Sequence, residues 1–326
     1  VIFKIFHLKF KEFGATKTSD QIYNEHIKII TNGLYKEKGS NKNSLLDYKT
    51  EFDKVINSIR ENGFDKTISK IPLANDGTIS NGSHRLAASI YHNIDEIEVE
   101  RTEDYRHIYD YNFFVTRGIS KKLIELTISE YLRLTKDNYL AIIWPSADKR
   151  IDYLSEFNDI IYEKKIVFNP LGAKHFVAQV YKKHKWVGSF EHGYGGAISK
   201  VKETFKDYSY MHVIFFKENS FQSVGFLKEK LRKIFGIKKG SIHITDNNKE
   251  TLEIGNIVLN DNSIHFMKYG VPHKFPIIFK NLKLFREKLI KKGVDTNSVI
   301  ISGDTVLSIY GLKLCNTIQF LSKEKL

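Results

Sequence analysis

Apolar positions along the chain recur with two periods, and their alternation predicts the elements. Over residues 21–34, Tyr23, Ile27, Ile30 and Leu34 fall on one helical face, and Asn32-Gly33 signals the stop. Over 48–61, Phe52, Val55, Ile56 and Ile59 form a second helical face, ended by Asn62-Gly63. The polar run 36–43 between them reads as a loop. Residues 68–73 read as a short strand, Asn75-Asp76-Gly77 as a hairpin-type turn, 78–80 as a second strand and 83–92 as a helix. Residues 97–100 alternate as a third strand. Further on, helices are expected over 121–134, 199–205, 224–235, 249–259 and 282–292. Strands are expected over 139–144, 166–169, 175–181, 212–216, 241–245 and 299–301. Strands alternating with helices indicate an α/β protein. The expected fold is a mixed α+β N-terminal domain followed by an α/β domain.

The length of 326 residues suits two domains with an extra segment. An aromatic stretch over 101–117 without a clear period marks the first boundary. The expected division is 1–118, 119–275 and a C-terminal helix-strand segment, 276–326. Residues 1–13 are apolar but interrupted by Lys4, His7, Lys9, Lys11 and Glu12, so they read as a buried strand or helix rather than a signal peptide. The chain opens on Val1 rather than Met, as a fragment or a processed chain would.

Composition changes this picture little. Hydrophobic residues make up 41% of the chain, enough for packed cores, so it is not a disordered one. Its single cysteine, Cys315, rules out an internal disulfide and a cysteine-based zinc site, and fits a cytoplasmic location. No run of 18 apolar residues exists, so no spanning helix is expected. The net charge of +13 suits a polyanionic partner, yet the excess is mostly Lys spread along the chain, as an AT-rich genome would produce.

The sharpest candidate for chemistry is Asp76-Gly77-Thr78-Ile79-Ser80-Asn81-Gly82-Ser83-His84-Arg85-Leu86-Ala87-Ala88. A strand ends at a glycine and a helix begins at once. Gly82 can adopt a backbone conformation closed to other residues. The amides that follow are free helix N-terminal donors, to which Ser83, His84 and Arg85 add polar or cationic contacts. A guanidinium can clamp two phosphate oxygens at once. The plainer alternative is a helix capped by Ser83, with Arg85 in a surface ion pair.

This box, with the elements around it from Phe52 to Val99, resembles the ParB/sulfiredoxin superfamily. Its members carry Gly-x-His-Arg or Gly-x-x-Arg followed by Leu and Ala. The resemblance implies a bound nucleotide, ATP or CTP with Mg2+, gripped by Gly82, Ser83, His84 and Arg85. Some members of that superfamily are partition clamps on DNA, others phosphorylate a sulfinic acid or a free amino acid, and still others are nucleases. A kinase of this kind also needs a carboxylate. Asp76 is the candidate carried forward; Glu51, Asp53, Glu61 and Asp65 are also near in sequence.

The second half offers less. His243 and Asp246 end a strand before a helix, and with His265 they suit a metal or acid–base role, although Asp246 equally suits a helix cap. The loop 186–196 is rich in glycine but lacks the Gly-Lys-Ser/Thr ending of a P-loop. Ser302-Gly303 resembles the start of a nucleotidyltransferase module whose later carboxylates are replaced by Thr317-Ile318-Gln319. The whole layout resembles transferase-like proteins of bacterial surface-polysaccharide loci. The expected function is therefore a nucleotide-dependent phosphotransferase or related transferase acting on a small polar or glycan substrate. A ParB-like DNA-binding protein or nuclease and a non-catalytic nucleotide-binding scaffold remain the alternatives. No helix-turn-helix pattern follows the box, so nucleic acid is the less favoured partner.

Overall fold

The computed structural model describes residues 1–37, 39–65, 67, 70–103, 109–189 and 192–322. The fold is mixed α/β and divides into two compact units, 1–136 and 137–326. No helix among the described residues is long and apolar enough to cross a membrane.

The first unit runs α1 (Ile2–Glu12), α2 (Thr16–Ile30), α3 (Leu45–Asn62), β1 (Ile71–Leu73), α4 (Ser83–Tyr91), β2 (Val99–Arg101), α5 (Tyr111–Thr116) and α6 (Lys121–Leu134). Helix α1 buries six successive residues, Phe3 to Leu8, on all its faces. That explains why the sequence there shows no single apolar stripe. Helix α2 begins five residues earlier than expected and ends at Ile30; Leu34 lies beyond it and is exposed. Helix α3 is capped by the Ser44 hydroxyl, which accepts from the Asp47 amide, and closes on Gly63 with φ of 70°. Ile5, Leu8, Tyr23, Ile27, Tyr48, Phe52 and Ala87 form one core among α1–α4.

Strand β1 pairs in parallel with β2, Ile71 opposite Val99, with α4 as the crossover. The expected second strand, 78–80, shrinks to one antiparallel bridge between Leu73 and Ile79. Ile68 and Ser69, at the start of the expected first strand, lie outside the described residues, as do positions 104–108 of the aromatic stretch. Helix α6 belongs to this unit, so the division falls at 136 and not near 118. Glu130 of α6 is buried and ion-paired with Lys9 of α1, and Leu123, Ile124 and Ile128 are buried alongside it.

The second unit runs β3 (Asn138–Ile143), β4 (Asp159–Ile166), α7 (Pro170–Val180), α8 (Gly195–Thr204), β5 (Met211–Lys217), α9 (Phe221–Phe235), β6 (Ile242–Ile244), α10 (Asn248–Val258), α11 (Asp261–Tyr269), α12 (Pro276–Lys291), β7 (Val299–Ile301), α13 (Gly303–Ile309) and β8 (Phe320–Ser322). Its main sheet has the order β4-β5-β3-β6, and every neighbouring pair is antiparallel. Leu140 to Trp144 are fully buried, because helices and loops cover both faces of the central strand. Strands β7 and β8 form a separate antiparallel pair. The segment from 276 onward thus falls within this unit.

One expected strand is a helix. Residues 175–180 lie in α7 and Tyr181 caps its end; the helix starts where the Asn169 side chain accepts from the Gly172 amide at 2.8 Å and Pro170 takes the first turn. Seven of its residues are buried, so it is apolar on most faces and its period does not separate it from a buried strand. The neighbouring expected strand, 166–169, is displaced: β4 ends at Ile166. Helix α11 was not expected; the Asn260 side chain caps it, accepting from the Asn262 and Ser263 amides.

Candidate functional site

The site is built on the start of α4. Gly82 caps the helix with φ of 80° and ψ of 17°, in the left-handed region. A Cβ at this position would lie 3.0 Å from both Arg85 Nη2 and Ile71 Cδ1, so the turn needs glycine for space as well as for conformation. Among the described residues no side chain caps α4. Ser83 is therefore not the cap, and the first amides of the helix keep their hydrogens for an outside acceptor.

The Ser83 hydroxyl has a partner that sequence reading missed. Lys4 of α1 is 2% exposed, and its Nζ lies 2.6 Å from Ser83 Oγ. Burial, and then the charge of Lys42, push the Lys4 pKa down to about 7, against an opposing pull from Glu37. At neutral pH this amine is thus divided between its charged and uncharged forms. The signal for it was the spacing of Lys4 and His7 inside an otherwise apolar run, where a purely structural helix would carry aliphatic residues.

His84 turns into the core between Phe52, 4.6 Å away ring to ring, and Tyr23. The Tyr23 hydroxyl lies 3.0 Å from the Tyr48 carbonyl oxygen and 2.9 Å from His84 Nε2. A carbonyl only accepts, so the phenol donates to it and accepts from His84 Nε2–H. That arrangement leaves Nδ1 as the unprotonated nitrogen. Burial first, then Lys4 and Lys42, hold the His84 pKa well below the usual histidine range, so the ring is neutral. Of the polar or cationic contact expected from His84, the structure favours the polar one, that of an oriented neutral imidazole.

Arg85 folds back along the turn. Its Nη1 donates to the Lys70 carbonyl at 3.0 Å, which ties the guanidinium to the backbone just ahead of β1. It still lines the cavity that opens over the turn.

That cavity measures about 480 Å³. Among the described residues, four cationic side chains line it, Lys4, Lys36, Lys42 and Arg85, against two carboxylates, Glu37 and Glu51. Glu37 pairs with Lys42 at 2.6 Å, and Glu51 with Lys54 at 2.6 Å. The balance favours an anion. The tyrosine beneath, Tyr48, has its pKa pushed up to about 12, mainly by burial, so it is a neutral donor. A triphosphate with Mg2+ commonly takes only one or two protein carboxylates, the phosphates supplying other ligands. Glu51 would supply one such ligand, and among the described residues no group of three His, Cys, Asp or Glu side chains is placed to hold a metal by itself.

Asp76 does not line the cavity. Its Oδ1 accepts from the Thr78 amide at 3.0 Å and the Thr78 hydroxyl at 2.7 Å, and so holds the turn between Leu73 and Ile79. The carboxylates that do line the cavity are Glu37 and Glu51.

In the second unit, His243 Nε2 lies 3.2 Å from Glu250 Oε1, and Glu250 Oε2 accepts from the Asp246 amide at 2.8 Å. Asp246 itself is exposed and paired with Lys228 at 3.0 Å. Asn247, not Asp246, caps α10, with its side chain accepting from the Glu250 amide at 3.0 Å. These residues act together as a helix start. His265 stands elsewhere, 3.1 Å from the Tyr310 hydroxyl, so the three do not form a metal set. In the glycine-rich loop, a Cβ on Gly196 would fall 1.7 Å from the Trp186 carbonyl oxygen, which gives that glycine a packing reason. Phe190 and Glu191 of the loop lie outside the described residues. At the start of α13 the Gln319 amide oxygen accepts from the Asp304 amide at 2.6 Å, so a side chain of the chain itself takes up that helix start.

No family model matches the chain, and no match was found among curated proteins or solved structures.

Proposed function

We propose that the N-terminal unit is a ParB/sulfiredoxin-like nucleotide-binding module, and that the protein is a nucleotide-dependent phosphotransferase or related transferase acting on a small polar or glycan substrate. The observation that carries this reading is the meeting of Lys4 with Ser83 at the uncapped start of α4, beneath a cavity with twice as many cations as carboxylates. Helix amides, a lysine point charge and a guanidinium are the donors that phosphate oxygens take. Neutral His84 and Tyr48 suit a base or sugar better than a second charge.

A thermal-shift panel of ATP, CTP, GTP and UTP with Mg2+ tests it, with inorganic triphosphate and duplex DNA as comparisons. Specific binding of one nucleotide raises the midpoint in proportion to RT ln(1 + [L]/Kd). A response to triphosphate and DNA alone, lost at moderate salt, would instead favour a nucleic-acid surface.

A further inference from the structure

A second cavity, of about 510 Å³, adjoins the first, and the two share Lys4, Ile30, Glu37, Asn81, Ser83 and Tyr109. Their charge differs. Lys36, Lys42 and Arg85 line only the first. Among the described residues, the second has Lys4 as its one cationic side chain and the carboxylates of Glu37 and Asp110. His26 also lines it; this ring is 4% exposed, and its Nδ1 has no hydrogen-bond partner among the described residues. Burial, reinforced by Lys4, holds its pKa well below the ordinary value, so the ring is neutral. The Ser83 hydroxyl thus stands at the junction of an anion-favouring cavity and a polar one, with a buried amine 2.6 Å away.

We propose that Ser83 is a nucleophile, with Lys4 as its base, that takes a phosphoryl group from the nucleotide in the first cavity and passes it to a hydroxyl-bearing, uncharged or cationic substrate in the second. This rests on the nucleotide-binding reading above. In the first step Ser83 Oγ bonds to the terminal phosphorus as the bond from phosphorus to the bridging oxygen breaks. The nucleoside diphosphate leaves with that electron pair, and the Oγ proton passes to Lys4 Nζ. In the second step the substrate oxygen bonds to phosphorus as the Oγ–P bond breaks. Lys4 returns its proton to Oγ, and the substrate proton passes to Glu37, which lines both cavities, and on to water. A single nucleophile between donor and acceptor requires both cavities to open onto it, and a one-step transfer does not.

The test has two arms. The full chain is treated with diisopropyl fluorophosphate, a phosphorus electrophile that needs no nucleotide site, and Ser83 is examined by peptide mass. The expected result is labelling at Ser83, cut at least tenfold in Lys4→Met and absent in Ser83→Ala. In the unmutated chain the labelling rate should rise with pH to a plateau as the amine loses its proton near pH 7. Lys4 faces Glu37 and Lys42 on the loop before α3, His26 on α2, His84 on α4 and the α-amino group of Val1; of these, Lys42 lowers its pKa and Glu37 raises it. No label, or label with no such pH dependence, overturns the proposal even if Lys4→Met does not fold. The second arm incubates the chain with the nucleotide that gives the thermal shift. Phosphoserine at position 83 supports the proposal. Calorimetric binding of that nucleotide without phosphoserine overturns it and leaves the binding reading intact. Labelling by the fluorophosphate without any nucleotide binding sinks the nucleotide as donor and retains only the activated serine.

Discussion

The amine of Lys4 lies 2.6 Å from the hydroxyl of Ser83, across 79 positions of sequence. Helix α1 delivers the lysine from inside the core, and the glycine turn delivers the serine shortly after the bridge at Ile79. Neither residue would be notable alone. Together they put a buried amine, divided between its charged and uncharged forms near pH 7, against the start of a helix whose amides point outward.

Gly82→Ala should weaken both the fold and the site. An L-residue at φ of 80° costs about 1–2 kcal/mol. The added Cβ also crowds Arg85 and Ile71. Both tryptophans, Trp144 and Trp186, lie in the second unit, so the readout is amide hydrogen exchange in α4. Faster exchange there, together with weaker nucleotide binding, is expected; unchanged exchange would contradict the role given to the turn.

Arg85→Ala should lower nucleotide affinity by about tenfold or more, a loss of roughly 1.4 kcal/mol or greater. It also removes the hydrogen bond to the Lys70 carbonyl, worth about 1.5–3 kcal/mol for a charged donor. Arg85→Lys keeps the charge but not the fork, so it should recover only part of the affinity. Calorimetry on both variants decides; equal affinity in all three chains would remove Arg85 from the site.

Asp76→Asn should leave nucleotide binding unchanged. The amide oxygen of Asn still accepts from Thr78, so stability should change by less than about 0.5 kcal/mol. A large loss of binding would return Asp76 to the site and contradict its position in the turn.

Stability of the first unit should depend on pH in two windows. Lys4 has a folded pKa lowered from 10.5 to about 7, so the unfolded chain binds more protons between those values. Stability should therefore rise as pH increases from 7 toward 10. His26 and His84 are also lowered in the folded state. Their contribution is present above the ordinary value of 6.5 and is lost as pH falls below it. Lys4→Met should flatten the upper window and leave the lower one. Hydrogen exchange of α4 across pH, corrected for intrinsic rates, reads both; a profile flat from 7 to 10 would place Lys4 in water.

Gly196→Ala should destabilise the second unit strongly, because the new Cβ would overlap the Trp186 carbonyl. Such clashes cost about 1–3 kcal/mol or more when backbone must move. Tryptophan fluorescence during urea unfolding should show the midpoint fall with little change in slope.

Much of the local structure was legible in the sequence. The start of α4, the left-handed Gly82, the stop of α3 at Gly63 and the extent of α9 follow from caps, periods and glycine positions, which act within a few residues. Helix α7 was misread because a helix buried on most faces loses its period, and the Asn169-Pro170 start was the signal that should have decided it. The exclusion of Asp76 from the cavity was likewise beyond sequence reading, since a turn carboxylate and a catalytic one look alike in one dimension.

By itself, then, the sequence determined where a helix begins with free amides and which side chains stand beside them. Only the tertiary structure decided that Lys4 would reach Ser83, that burial would keep His84 neutral while Tyr23 fixes its proton on Nε2, and that Glu37 and Glu51 would be the carboxylates in reach. The physical reason is range. Caps and backbone conformations are settled by neighbours a few bonds away. A contact across 79 positions exists only when α1, α2, α3 and α4 close around one core, and the same closure removes the water that would have left Lys4 and His84 with their ordinary charges.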